Sequence, residues 1–95
     1  MTKLDFNKNF VPLKGQTEEG VGKMNETLSF VISKSEDTKN PVKLYGWAVK
    51  LSTNGILELD KADVELLKKF IIESKMLFVA AKGQLIEHID SVKEQ

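Results

Sequence analysis

The chain has no arginine and no cysteine, a single histidine, and no apolar run longer than six residues. Each gap removes a class of chemistry. Without arginine there is no planar fork to read guanine edges, clamp phosphates or act as a transition-state finger; all 14 basic residues are lysines, which serve only as point charges. Without cysteine there are no disulfides and no thiolate ligands for zinc. The longest apolar run, Met76 to Ala81, falls far short of the roughly 20 residues that span a bilayer. Met1 to Asp5 offer neither the apolar stretch of a signal peptide nor a glycine for myristoylation. A cytoplasmic protein with no membrane association is therefore expected.

What is present is enough to fold. Of the 95 residues, 41% are hydrophobic and 29% charged, which sets the chain among ordinary globular proteins and away from disordered ones. At this length one core is affordable, so a single domain over residues 1–95 is expected. Residues 1–40 hold six lysines against six acids and residues 41–95 eight against eight, so neither part is an electrostatic tail. Polyanion binding is not expected, and neither is a nucleic-acid partner.

The hydrophobic period changes along the chain. Leu4 and Phe6, then Phe10, Val11 and Leu13, alternate around Asn7-Lys8-Asn9 and predict an N-terminal β-hairpin within residues 1–20, its second arm shortened by Pro12. Residues 14–22 are polar, hold three of the six glycines and read as a loop. Val21, Met24, Leu28, Val31 and Ile32 then recur at three- and four-residue steps and predict a helix over 21–35. The polar stretch 35–40 follows as a connection. Asn40-Pro41 starts and Asn54-Gly55 stops a helix over 41–53, with Leu44, Ala48 and Leu51 in one row, Val42, Tyr45 and Val49 in the next, and Trp47 broadening the face. Residues 56–59 predict a short strand able to pair with the N-terminal one. Asp60, with Asp63 three residues on, caps a helix over 61–74 whose stripe is Val64, Leu67, Phe70 and Ile71. A break near Ser74-Lys75 precedes a last helix over 76–92, lined by Leu77, Phe78, Ala81, Leu85, Ile89 and Val92. The fold class is α+β: an N-terminal hairpin, a short strand near 56–59, and three or four helices around one core.

Five features invite a chemical reading. Gly20-Val21-Gly22-Lys23 resembles a phosphate-binding loop, but Thr17 stands where a Walker loop needs glycine and Met24 where it needs a hydroxyl. A flexible loop before a helix is the better reading. The acidic run from Glu58 to Glu65 lacks the central glycine and distal glutamate of a calcium loop, and helix capping accounts for Asp60 and Asp63. His88 finds no cysteine and no nucleophile elbow to activate, and cannot by itself form a usual zinc site; it is expected on an exposed helix surface. Tyr45 and Trp47, two residues apart on a helix, point in different directions and so make no stacking platform for bases; one should be core and the other a partly exposed edge. A helix-turn-helix reading of 61–74 and 76–92 fails on charge, since Lys75, Lys82 and Lys93 face Glu87, Asp90 and Glu94. No catalytic residue, no metal ligand set and no cofactor site follow.

Several fragments in order resemble a group of small phage- and prophage-encoded proteins of unknown function. They are Leu4-Asp5-Phe6-Asn7; Pro12-Leu13-Lys14-Gly15, where that group tends to carry an acidic-glycine turn; Leu44 to Leu51; Leu57 to Phe70, the most distinctive; and Ala81 to Ile86, where Gly83 replaces an expected alanine. The resemblance implies a small accessory protein, of the kind that acts as an assembly chaperone in tail morphogenesis, and it transfers no catalytic residues. The function expected is thus non-enzymatic protein–protein interaction, with a phage structural protein or a second copy as partner. The alternative is a small regulatory protein that sequesters a host factor, antirepressor-like. The two C-terminal helices carry more apolar positions than one stripe requires, and the surplus residues Leu66, Ile72, Phe78, Val79 and Ile86 are the candidate partner-binding set.

Overall fold

The computed structural model describes residues 1–11, 22–35 and 39–92. Two strands and four helices follow in the order β1 (Thr2–Asp5), α1 (Met24–Lys34), α2 (Pro41–Thr53), β2 (Ile56–Leu59), α3 (Lys61–Glu73) and α4 (Val79–Ser91). This is the expected α+β class. The two strands form an antiparallel sheet. Both alternate with period two: Thr2, Leu4, Leu57 and Leu59 are buried, while Lys3, Asp5 and Glu58 are exposed.

The ladder runs from β1 to β2, and among the described residues the following segment adds an isolated antiparallel bridge, Asn9 to Lys23. The predicted hairpin arm at 10–13 is therefore not a strand at Phe10 and Val11, and residues 12 and 13 lie outside the described residues. The reason is local. Asp5 Oδ1 accepts from both the backbone amide and the side-chain amide of Asn7, each at 2.9 Å, and the Lys8 amide donates to Phe6 O at 2.8 Å. This Asx-type turn redirects the chain directly after β1.

The chain divides into two compact units, residues 5–57 and residues 1–4 with 58–95. In the first, α1 and α2 pack along each other. Two cross-helix hydrogen bonds fix their relation: Ser29 Oγ donates to Ala48 O at 2.8 Å and Asn25 Nδ2 to Leu51 O at 3.2 Å. Rising numbers on one helix meet falling numbers on the other, so the pair is antiparallel. Their buried side is Met24, Leu28, Val31 and Ile32 from α1 and Leu44, Trp47, Ala48 and Leu51 from α2, with Phe6 and Leu57 also buried. All four described residues of the α1 stripe are thus core, and Val21 lies outside the described residues. The adjacent row, Val42, Tyr45 and Val49, is exposed.

Punctuation in this unit works largely as the residues suggest. Pro41 occupies the first turn of α2, although the Asn40 side chain does not cap it. At the other end Gly55 adopts φ +75°, and the amides of Asn54 and Gly55 both donate to Lys50 O. Asn7 Nδ2 donates to Asn54 O at 2.6 Å and the Phe6 amide to Gly55 O at 2.8 Å, so the segment after β1 is pinned to this turn. The start of α1 shifts from 21 to 24 because the Met24 amide donates to Lys8 O and the Asn25 amide to Phe6 O.

In the second unit α3 packs with α4, burying Leu67, Ile71, Leu85 and Ile89, with Leu4, Leu59 and Leu77 also buried. Asp60 caps α3 as expected, its Oδ1 accepting from the Asp63 amide at 2.8 Å. Two bonds tie the helices: Lys68 Nζ to Asp90 Oδ1 at 2.7 Å, and Lys82 Nζ to Ile72 O at 2.9 Å. The second satisfies a carbonyl at the end of α3 that has no intrahelical donor. α4 begins at Val79, three residues later than the spacing predicts, because the Ser74 hydroxyl accepts the Met76 amide at 3.2 Å and keeps 74–78 out of the helix. Phe78 is accordingly exposed, not part of the α4 stripe.

Candidate functional site

Gly20 and Val21 of the glycine-rich segment lie outside the described residues; Gly22 and Lys23 lie within them. A phosphate at the start of α1 would need its free first-turn amides. Those of Met24 and Asn25 are already taken by the carbonyls of Lys8 and Phe6, at 2.8 and 3.0 Å, while Gly22 O accepts from the Phe10 amide. The chain has filled its own anion site with backbone oxygens.

Asp60 is likewise committed to the Asp63 amide. Among the described residues, no group of three or more histidine or acidic side chains is placed to hold a metal ion. His88 is half-buried in the last turn of α4 where exposure was expected; it lies one turn along from Leu85 and flanks the buried row. Trp47 is buried and Tyr45 is 69% exposed, the division expected for residues about 200° apart on a helix.

The surplus apolar residues of α3 and α4 are the remaining candidates, and they do not form one patch. Ile72, Phe78 and Val79 are 57%, 85% and 85% exposed and gather at the end where α3 hands over to α4. Lys82 reaches Ile72 O there, which brings the first turn of α4 beside the last turn of α3. Leu66 and Ile86 are half-buried. Leu66 lies about 120° around α3 from Ile72, on another flank. Ile86 sits between Lys82 and Asp90 in sequence, on the side of α4 whose side chains reach α3. In their place the structure adds Met76, 46% exposed within the connection. A methionine between helices carries no periodicity, so the spacing argument had no means of finding it.

No family model, curated protein or solved structure matches the chain. The site must be read from its own chemistry. Ile72, Met76, Phe78 and Val79 are exposed apolar residues of the junction between α3 and α4, the tip of this helix pair, where α4 has no side-chain cap and no acidic residue in its first turn. Lys68 stands further along the pair, where its hydrogen bond to Asp90 raises its pKa above 10.5. No helix among the described residues is long and apolar enough to cross a membrane.

Proposed function

We propose that the chain is a non-enzymatic protein-binding module, of the phage or prophage accessory kind that its sequence fragments resemble, and that it docks a partner protein on the α3–α4 tip. The observation that carries this reading is the exposure of Phe78 and Val79 at 85% each beside Ile72 and Met76. Large apolar side chains scattered singly on a surface are ordinary, whereas four exposed within eight residues at one helix junction support an interaction site. Gly83, one turn beyond Val79, has open space beside it and would let a partner approach α4 closely. Phe78 would be the anchor, as a rigid aromatic that loses most of its water contact on docking. A phage tail component as the partner is what the resemblance supports.

The experiment uses Phe78→Asp. Phe78 occupies the N-cap of α4 with extended backbone (φ −71°, ψ 156°), a position where aspartate is among the preferred residues. The variant should therefore fold at least as stably as the parent while placing a charge at the centre of the tip. Affinity capture from the native host under phage induction should retain a stoichiometric partner on the parent chain and lose it on the variant. Equal retention on both would refute the assignment of the tip.

A further inference from the structure

The outer face of the α1–α2 pair carries a second apolar surface that the α3–α4 tip does not explain. Starting from the directions in which Ser29 and Ala48 meet, the buried residues of each helix lie to one side. Phe30, about 100° around α1 from Ser29, lies to the other. On α2 the same applies to Tyr45, Val49 and Val42, about 60–120° around from Ala48. Because the helices are antiparallel, these two excursions lead to the same side of the pair, away from its core. The exposures agree: Phe30 56%, Val42 83%, Tyr45 69% and Val49 43%.

Val42, Tyr45, Gly46 and Val49 stand at i, i+3, i+4 and i+7, the four corners of the hole that receives a knob in helix packing. Among the described residues nothing requires Gly46 to be glycine. Its φ is not positive, and a Cβ there would meet nothing within 4 Å, yet glycine in mid-helix is unfavourable relative to alanine. A helix packing closely from outside supplies the reason. The knob is present as well: the bonds that set the register put Phe30 level with residues 46–47, its ring held on the surface 6.0 Å from Lys34 Nζ.

A face that holds a knob and its hole side by side at one height meets the condition for a two-fold interface, in which residue i touches j of the partner and j touches i. We infer that this face is a self-association surface, in which α1 of each copy lies across α2 of the other and Phe30 enters the hole around Gly46. The four exposed apolar side chains offer on the order of 500 Å² per copy, close to the roughly 600 Å² per partner at which specific interfaces begin. The dimer is therefore a reversible one.

Sedimentation equilibrium from about 10 µM to about 1 mM should show a monomer–dimer equilibrium. Phe30→Asp and Gly46→Leu should each weaken it roughly tenfold or more. Gly46→Leu puts a good helix former where, among the described residues, an added Cβ meets nothing within 4 Å, and urea unfolding of the variant beside the parent keeps the test independent of folding. Phe78→Asp should leave the dimer unchanged, which separates this surface from the tip. A strict monomer across the range, or a dimer indifferent to both α1–α2 variants, overturns the inference.

Discussion

Three glycines of this chain should respond to alanine with opposite signs. Gly46 and Gly83 lie inside α2 and α4, neither has a positive φ, and an added Cβ would meet nothing within 4 Å at either. The gain is then the helix propensity difference alone, about 0.8–1 kcal/mol each. For a chain of this size that corresponds to a rise in Tm of roughly 4–8 °C per substitution. Gly55 is the reverse case. At φ +75° a left-handed alanine costs about 1–2 kcal/mol. Its Cβ would also run into the Asn7 side chain. Moving Asn7 gives up its 2.6 Å bond to Asn54 O, and a hydrogen bond of this kind contributes about 1 kcal/mol. Gly55→Ala should therefore cost about 2–3 kcal/mol in all. Urea unfolding followed by circular dichroism, at low protein concentration, reads all three. A loss of stability at Gly46→Ala or Gly83→Ala would show that the space beside that residue is filled, and would refute the helix faces on which both proposed surfaces depend.

Other consequences can be measured in the same way. Leu67→Ala and Leu85→Ala, both fully buried, should each cost about 2–5 kcal/mol in urea unfolding; a loss below about 0.5 kcal/mol at both would mean that the α3–α4 core is wrongly placed. Asp60→Ala removes the cap on the Asp63 amide and should cost about 0.5–2 kcal/mol, with Asp60→Asn recovering most of it. The Lys68 ammonium, held by its hydrogen bond to Asp90, should titrate above 10.5 by NMR and return toward that value in Asp90→Asn. Because its folded-state pKa is raised, its contribution is fully present below about pH 10.5 and is lost as pH rises through the folded value. A Lys68 midpoint that Asp90→Asn leaves unmoved would show that the pair does not form.

The helix bounds that were legible in the sequence are those written by residues acting on their own backbone. Pro41 and Gly55 mark the ends of α2, and Asp60 starts α3 through its own side chain. The bounds that moved depend on partners distant in sequence or on competing local bonds. Phe6 and Lys8 take the first amides of α1, and the Ser74 hydroxyl holds back the start of α4. The partner of β1 was not legible for a similar reason, since β1 pairs with β2 more than fifty residues away, while Phe10 and Val11 are not strand and residues 12–20 lie outside the described residues.

Periodicity also identifies an apolar row without saying what covers it. It placed Leu44, Ala48 and Leu51 correctly but could not tell that the adjacent Val42, Tyr45 and Val49 face outward. Of the five surplus residues, Ile72, Phe78 and Val79 are exposed and Leu66 and Ile86 half-buried, and the exposed Met76 was not among them. Which apolar residues are surplus is decided by the antiparallel register of two helices around Leu67, Ile71, Leu85 and Ile89, a register that the Lys82 and Lys68 bonds across them mark at the surface.

The account rests most heavily on the claim that the α3–α4 tip is a binding surface and not an incidental cluster. Affinity capture with the parent chain and Phe78→Asp, each first checked by thermal unfolding, tests it directly. The account predicts that the variant unfolds at the same temperature as the parent or higher, through the improved cap on α4, and that it loses the partner the parent retains. A variant that folds and captures the partner as well as the parent, or a parent that captures none, would contradict it.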